Sequence, residues 1–269
     1  MPSVATSIDN ASFGTELIRE WAPADAPRAI IVLVHGIAEH SGRYERTGDL
    51  LAGAGFRVHA FDVIGHGASG GARVDIDEWA RFHDQLEEHM SWATEQGPPV
   101  VLMGHSMGSL LALGYTLDGR VQPDLLVLSA PAIAGGAAWQ RAIAGPAAKI
   151  APKLSIPQGI KGEHLSRDPE VAERYFADPL VHTNATMRFG KAMFDAMDEA
   201  TLKVHQLQVP TLVLHGGSDP SVPPQSSAFF ADLADCERRL YPALRHEILN
   251  EPEGPEVVAD IIDWINARL

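Results

Sequence analysis

Short apolar runs alternate along this chain with longer mixed segments, and this alternation is the strongest constraint on its fold. Most runs are rich in Leu, Val and Ile with little polar alternation, which is typical of strands covered on both faces. They span residues 29–34, 56–61, 100–103, 125–128, 211–214 and, more weakly, 238–241. Segments with helical spacing follow at 79–94 and 257–269. The pattern predicts an α/β fold in which helices flank a mostly parallel central sheet, with residues 15–21 as an antiparallel edge strand.

The alternation stops between residues 133 and 207. This segment is rich in Ala, Gly, Pro and Met, has no clear strand, and continues with helical patterns at 169–202. Such a long interruption within a compact domain usually has a function. We therefore predict that residues 1–132 and 208–269 form the core, and that residues 133–207 form a helical lid over the carboxyl edge of the sheet.

The predicted lid differs from the rest of the chain in charge. Residues 133–207 hold nine Lys or Arg and eight Asp or Glu, whereas the remainder holds twelve and twenty-seven. Residues at helical spacing form one apolar face, although two prolines would bend or end that helix. The face comprises Trp139, Ile143, Ala147, Ile150 and Leu154, and the prolines are Pro146 and Pro152. Two interpretations stay open: the face packs on the core, or it contacts lipid.

Composition excludes several classes of protein. The 269 residues carry a formal net charge of −14 with no Lys/Arg cluster, so we expect no nucleic-acid partner. The single cysteine, Cys236, rules out an intramolecular disulfide and a cysteine-rich metal site. No apolar run approaches the ~20 residues of a membrane span, and no secretory signal is visible. We expect a cytoplasmic protein, or one peripheral to a membrane; the sequence gives no oligomeric state.

One glycine-rich motif imitates a dinucleotide-binding loop. Residues 65–70, Gly-His-Gly-Ala-Ser-Gly, follow an apolar run, but no helix opens directly after them. We therefore predict that this loop binds no nucleotide. His83 and His89 are six residues apart and would lie on different faces of a helix, so they are not predicted to share a metal ion. No metal or cofactor is expected.

The most informative local motif is Gly-His-Ser-Met-Gly at residues 104–108. It lies between a predicted strand and a predicted helix, which is the setting of a nucleophile elbow. A sharp turn there lifts the hydroxyl of Ser106 clear of the sheet. The backbone N–H of Met107, which follows the serine, then points to where an oxyanion forms.

A serine nucleophile needs a base and an acid, which in this architecture follow it in the order acid, then histidine. Asp219 lies in a tight turn just after the run at 211–214, and His246 is the only histidine after it. Elimination therefore predicts Ser106, Asp219 and His246 as the catalytic triad. His105 is expected to pack or hydrogen-bond rather than act as the base. The His-Gly pair after the first buried strand makes the N–H of Ile37 the candidate second oxyanion donor.

With these residues in view, the chain resembles the serine α/β-hydrolases, and among them the monoacylglycerol lipases. The resemblance covers nearly the whole chain and is carried by the motifs at 35–44, 62–70 and 104–108. It implies an α/β-hydrolase fold with a lid over an apolar acyl tunnel, and substrate delivered from membranes or micelles. The Glu-His-Ser-Gly-Arg-Tyr run makes Glu39 and Arg43 candidate contacts for the glycerol leaving group; they could equally form a structural ion pair. Ser109 stands where relatives often have glycine.

The resemblance implies hydrolysis of a monoacylglycerol to fatty acid and glycerol through an acyl-enzyme, without a cofactor. The residues leave alternatives open. A carboxylesterase, lysophospholipase or thioesterase would use the same triad, as would a cofactor-free haloperoxidase. A non-enzymatic ligand-binding relative would not need the acid, so the complete triad argues against it.

Overall fold

The computed structural model describes residues 2–269 and contains one eight-stranded sheet. The eight strands are β1 (Val4–Asn10), β2 (Gly14–Trp21), β3 (Ile30–Val34), β4 (Arg57–Phe61), β5 (Val100–His105), β6 (Leu125–Ser129), β9 (Thr211–Gly216) and β10 (Cys236–Tyr241). Their spatial order is β1-β2-β4-β3-β5-β6-β9-β10. In this spatial order, the six strands that begin with β4 and end with β10 pair in parallel. Strand β1 pairs antiparallel with β2, and β2 pairs antiparallel with β4. The predicted, mostly parallel sheet is confirmed.

The edge of the sheet differs from the prediction. The segment predicted as an antiparallel edge strand, 15–21, is antiparallel but lies second in the sheet, between β1 and β4. The true edge is β1, which the sequence analysis missed. Its residues, Val-Ala-Thr-Ser-Ile-Asp-Asn, are almost all exposed, so the strand has no buried apolar face that a pattern could reveal.

Helices cover both faces of the sheet. They are α1 (Glu45–Gly53), α2 (Ala80–Glu95), α3 (Met107–Leu117) and α8 (Gly254–Asn266). Three 3₁₀ segments lie elsewhere in the chain, at Ser41–Tyr44, Val204–Gln206 and Pro224–Asp232. Alternate residues of β3 point to opposite layers: Ile30 and Val32 pack with α2 and α3, and Ile31 packs with α1 and α8. The central strands are thus buried on both faces, which explains their continuous apolar sequence.

Residues between β6 and β9 form the segment predicted as the lid. It contains α4 (Ala138–Ile150), α5 (Gly162–Leu165), α6 (Pro169–Ala177) and α7 (Met187–Lys203). The expectation that it has no strand is wrong, because β7 (Ser155–Pro157) pairs antiparallel with β8 (Asn184–Thr186). These strands are only three residues long, too short for a periodic signal. The role of the segment as a lid stays a prediction.

The predicted apolar face of α4 is turned largely outward. Ala144 is the buried residue of this helix, whereas Trp139 is 64% exposed and Ile150 is 85% exposed. Pro146 lies within the helix, which ends before Pro152. At the other end of the segment, Asp75 of the core accepts hydrogen bonds from Thr186 (2.6 Å) and from Arg188 Nε (2.6 Å). The segment is therefore anchored through the start of α7, while α4 carries exposed apolar side chains.

Candidate active site

Ser106 occupies a strained turn between β5 and α3. Its φ is +53° and its ψ is −116°, a conformation that is costly for a residue with a side chain. Flanking glycines make the turn possible by allowing backbone contact. A Cβ on Gly104 would lie 2.3 Å from the carbonyl oxygen of Gly108, and one on Gly108 would lie 2.1 Å from that of Val34. Ser109 is buried, and its hydroxyl donates to the carbonyl of Gly104 at 2.7 Å.

The three predicted triad residues meet in one hydrogen-bonded chain. Ser106 Oγ lies 2.9 Å from His246 Nε2, and His246 Nδ1 lies 2.7 Å from Asp219 Oδ2. The other oxygen of Asp219 accepts the backbone N–H groups of Ser221 (2.8 Å) and Val222 (3.0 Å). With Asp219 ionised, His246 Nδ1 donates to it, which leaves Nε2 free to accept the Ser106 proton.

The pKa values of Asp219 and His246 suit a general base at His246. Burial raises the pKa of Asp219, but hydrogen bonds from His215 and His246 lower it more, so the pKa lies well below its usual range. Burial lowers the pKa of His246, but the hydrogen bond and charge of Asp219 raise it more, and Glu247 and Glu39 add to the rise. His246 is therefore a stronger base than an ordinary histidine.

Two further histidines lie beside the three hydrogen-bonded residues. His105 is buried, lies with its ring 5.0 Å from that of His246, and has Nδ1 3.1 Å from Ser129 Oγ. Burial, together with the charge of His246, lowers the pKa of His105 to about 4, so it stays neutral. His215 Nε2 lies 3.3 Å from Asp219 Oδ2. Sequence reasoning missed His215; its place at the end of the strand before Asp219 was the available signal.

The two predicted oxyanion donors lie on adjacent strand ends. Met107 is the first residue of α3, so its N–H has no acceptor within the helix. Ile37 lies in the loop after β3, which is the strand paired with β5. Residues 35–39, which we call the oxyanion loop, run close to the elbow, because a Cβ on Gly36 would lie 3.4 Å from the His105 ring. Ile37 and Ser106 border the same cavity. Their role as oxyanion donors stays a prediction.

Glu39 and Arg43 form a buried ion pair, with Glu39 Oε2 2.5 Å from Arg43 Nη1. Arg43 also forms a bidentate pair with Glu247, at 2.7 Å for each bond. Burial raises the pKa of Glu39, but Arg43 and the nearby His105 and His35 lower it more, to about 2. Sequence reasoning missed Glu247, whose only signal was its position next to His246.

Ser106 and His246 open into an apolar cavity of about 400 Å³ beneath the predicted lid. Its apolar walls come largely from the segment between β6 and β9; they include Trp139, Ile143, Leu165, Phe189, Met193 and Met197. Glu39 and Glu247 border the cavity, whereas Arg43 is not among its lining residues. The cavity suits an apolar ligand whose polar end lies at Ser106.

The glycine-rich loop at 65–70 is closed on itself. The N–H of Gly65 donates to the carbonyl of Gly70 at 2.8 Å, and the N–H of Ala68 donates to Asp62 at 2.9 Å. These donors are therefore used within the protein. Over residues 2–269, no group of three or more His, Cys, Asp or Glu side chains is arranged to hold a metal ion.

Comparison with known proteins places the chain in a family. A family model described as Hydrolase_4, serine aminopeptidase S33, matches residues 25–253. This chain belongs to that family of serine hydrolases. It is 33% identical to a protein of Mycolicibacterium smegmatis named monoacylglycerol lipase, over 93% of this chain and 92% of that one. It is 30% identical to "Phospholipase YtpA" of Bacillus subtilis, over 87% and 93% of the two chains.

Solved structures agree with the fold of this hydrolase. The crystal structure of Paleococcus ferrophilus monoacylglycerol lipase superimposes with a TM-score of 0.85 at 32% identity, covering 94% of this chain and 98% of that chain. The predicted α/β-hydrolase fold is thereby confirmed. No helix within residues 2–269 is long and apolar enough to cross a membrane.

Proposed function

We propose that this hydrolase cleaves the ester bond of monoacylglycerols to give a fatty acid and glycerol, through an acyl-enzyme on Ser106. One observation carries the proposal: Ser106, His246 and Asp219 are joined by hydrogen bonds, and Ser106 and His246 line an apolar cavity. The two relatives named monoacylglycerol lipase, both above 30% identity, support this substrate class.

Acylation follows from the hydrogen bonds of the site. His246 Nε2 takes the proton of Ser106 as Oγ attacks the ester carbonyl carbon, and Asp219 stabilises the imidazolium that forms. The N–H groups of Ile37 and Met107 hold the negative oxygen of the tetrahedral intermediate. The intermediate collapses, the bond to the glycerol oxygen breaks, and that oxygen takes the proton from His246. Ser106 is left as an ester of the fatty acid.

Deacylation uses the same groups in reverse roles. A water molecule gives a proton to His246 Nε2 as its oxygen attacks the acyl carbon. The second tetrahedral intermediate collapses, the fatty acid leaves, and the proton returns to Ser106. Nothing is oxidised or reduced, and every proton in this scheme moves through His246.

The cavity favours a substrate with one acyl chain. Its volume of about 400 Å³ lies low in the range of roughly 300–1,000 Å³ that is typical of small-molecule sites. A cavity of this size suits one acyl chain better than two or three side by side. Glu39 is the candidate contact for glycerol, since it borders the cavity; Arg43 would act only from behind it.

We further propose that α4 contacts the lipid surface that holds the substrate. Exposed apolar side chains cluster on this helix and on the residues just after it: Trp139, Ile143, Ile150, Leu154 and Ile156. Lys149, Lys153 and Lys161 lie beside them, are exposed, and form no ion pair with any part of residues 2–269. Arg141, by contrast, pairs with Asp198. An apolar stripe flanked by exposed lysines is suited to an anionic interface.

A substrate panel tests the proposed specificity. Monoacylglycerols, diacylglycerols, triacylglycerols, lysophospholipids and short p-nitrophenyl esters are compared by kcat/KM. We expect monoacylglycerols to be preferred over diacyl and triacyl substrates. The phospholipase relative makes lysophospholipids the second candidate; a higher kcat/KM on them would replace the proposed substrate. Activity confined to short soluble esters would indicate a general carboxylesterase.

A further inference from the structure

Arg43 is the centre of a buried cluster that joins two distant parts of the chain. Its guanidinium contacts Glu39 of the oxyanion loop at 2.5 Å and Glu247 at 2.7 Å through both terminal nitrogens. Glu247 directly follows His246 and lies 204 residues from Arg43 along the sequence. All three side chains are at least nine-tenths buried. One guanidinium therefore links the oxyanion loop to the loop that carries the candidate base.

Each carboxylate also fixes its own loop. Glu39 Oε1 accepts the backbone N–H of Gly36 at 2.6 Å and the hydroxyl of Tyr44 at 2.7 Å. Gly36 immediately precedes Ile37, so Glu39 fixes the peptide beside the candidate oxyanion donor. Glu247 Oε2 accepts from Asn250 at 2.9 Å, and its own N–H donates to the carbonyl of Leu165 at 2.8 Å.

Arg43 itself is withdrawn from the substrate. It is absent from the residues that line the cavity, and the Tyr175 ring of α6 covers it at 4.6 Å from Cζ. Its donors point at the two carboxylates. It therefore makes no direct contact with a bound substrate and acts on the reaction through the groups it holds.

We propose that Arg43 is a positioning residue that fixes the oxyanion loop and the His246 loop relative to each other. This inference rests on the proposed function, since it concerns the geometry of that reaction. Bidentate geometry is what makes arginine suited to this role, because a lysine ammonium cannot engage both oxygens of Glu247 and also reach Glu39 in one plane. Small errors in the relative placement of the base and the oxyanion donors slow catalysis.

The cluster also affects the charge around His246. Two carboxylates and one guanidinium leave a net negative charge. The groups that face His246 are Asp219, Glu247, Glu39 and the neutral ring of His105. Glu247 is among the groups that raise the pKa of His246. Removing the charge of Glu247 should therefore lower that pKa.

Arg43→Lys tests the positioning role. We expect kcat to fall by about 10- to 100-fold, by the same factor on a monoacylglycerol and on a p-nitrophenyl ester, with KM changed less than about threefold on either. Equal losses follow because Arg43 touches neither leaving group. A kcat within twofold of wild type would overturn the proposal. So would a loss confined to the KM for monoacylglycerol, which would mark a leaving-group contact instead.

Glu247→Gln provides a second test that keeps the shape of the side chain. We expect the acid limb of the pH profile of kcat/KM to move to lower pH, and kcat to fall on both esters. A kcat within twofold of wild type on both esters would contradict the proposal, wherever the acid limb lies. Melting temperatures report whether each variant folds. If Arg43→Lys does not fold, this second variant still decides, because Arg43 then keeps Glu39 as its partner.

Arg81→Lys is the matched control. Arg81 forms an exposed pair with Asp77 at the same i,i+4 spacing and should leave kcat and the pH profile unchanged. The wild-type enzyme separates the two proposals. If wild type hydrolyses no ester, or if Ser106→Ala leaves hydrolysis unchanged, the proposed function fails. If wild type is active and Arg43→Lys matches it, only the positioning role fails.

Discussion

Asp219 Oδ2 lies 2.7 Å from His246 Nδ1, and this contact determines how the hydrolase should respond to pH. Burial alone would lower the pKa of His246, but the Asp219 carboxylate raises it above the ordinary histidine value. The proposed mechanism needs neutral His246, because only then can Nε2 accept the Ser106 proton. Activity must therefore be lost as the pH falls through the raised pKa.

We predict that the acid limb of kcat/KM has its midpoint above ~6.5, the value of an unperturbed histidine. Asp219→Asn should reduce kcat strongly and move the limb to lower pH, because the charge that stabilises the imidazolium is gone. The profile is measured from pH 5 to 9 with a soluble ester. A wild-type midpoint clearly below 6.5, or a flat profile, would contradict His246 as the base.

Acid should also destabilise the fold. Burial lowers the pKa of His35, lowers that of His66 to about 3 and, with the charge of His246, lowers that of His105 to about 4. These side chains stay neutral in the folded protein but gain protons near pH ~6.5 when unfolded. The unfolded state then binds more protons, so the free energy of unfolding falls as the pH falls below about 6.5. The pKa of His246 is raised, so this one histidine binds its proton more tightly in the folded state and partly offsets the loss of stability at low pH.

Urea unfolding at pH 8, 7, 6 and 5 measures this slope. His66→Asn should make the slope shallower below pH 6.5, because one group that takes up a proton on unfolding is gone. His205→Asn is the control, since His205 is exposed and should leave the slope as in wild type. A slope that is the same for wild type and His66→Asn would contradict the prediction.

Gly108→Ala should disrupt the elbow. The new Cβ would lie 2.1 Å from the carbonyl oxygen of Val34, and backbone cannot move aside cheaply. We expect a loss of about 3 kcal/mol or more in the free energy of unfolding. Gly53→Ala is the control, since a Cβ there meets no atom within 4 Å and should cost nothing. Equal stability of both variants would mean that the elbow tolerates a side chain at Gly108.

The exposed side of α4, together with the residues just after it, should determine turnover on lipid surfaces. Ile150 and Leu154 suit the test because they are exposed but do not border the cavity, unlike Trp139 and Ile143. Ile150→Ser with Leu154→Ser should reduce binding to anionic vesicles and turnover of substrate held in them, while sparing a short soluble ester. Wild-type binding should weaken as salt rises, because each lysine near the surface contributes about 1 kcal/mol that salt screens.

A matched double variant lies far from α4. Val4→Ala with Leu240→Ala alters exposed apolar residues on the two outermost strands of the sheet and should leave vesicle binding unchanged. Wild-type protein that shows no salt-dependent binding would exclude lipid contact. Equal losses on vesicle and soluble substrates would instead mean that α4 acts only as a cover for the cavity.

The central sheet could be predicted from the sequence because its strands are buried on both faces. Such strands are continuous apolar runs, and β3, β5 and β9 lie within a few residues of the predicted bounds. The short antiparallel pair of β7 and β8 and the exposed strand β1 gave no such pattern, since none of these strands has an alternating buried face. Both were missed for that reason.

The residues of the site divide in a similar way. Ser106, Asp219 and His246 follow strand ends in a characteristic order, and the structure brings them within hydrogen-bonding distance. The partners of Arg43 could not be predicted in full. Glu39 is only four residues away in the sequence, whereas Glu247 meets Arg43 only because the oxyanion loop and the histidine loop converge. Contacts of this kind depend on tertiary structure and leave no local pattern.

The turnover of a monoacylglycerol by Ser106→Ala, compared with wild type, tests the central claim most directly. Circular dichroism and melting temperature confirm that the variant is folded, as expected for the loss of one hydroxyl. We predict that kcat falls by about 10³-fold or more, and that His246→Ala falls by a similar factor, because the members of a triad act as a unit. A folded Ser106→Ala variant with kcat within tenfold of wild type would contradict Ser106 as the nucleophile and, with it, the acyl-enzyme mechanism.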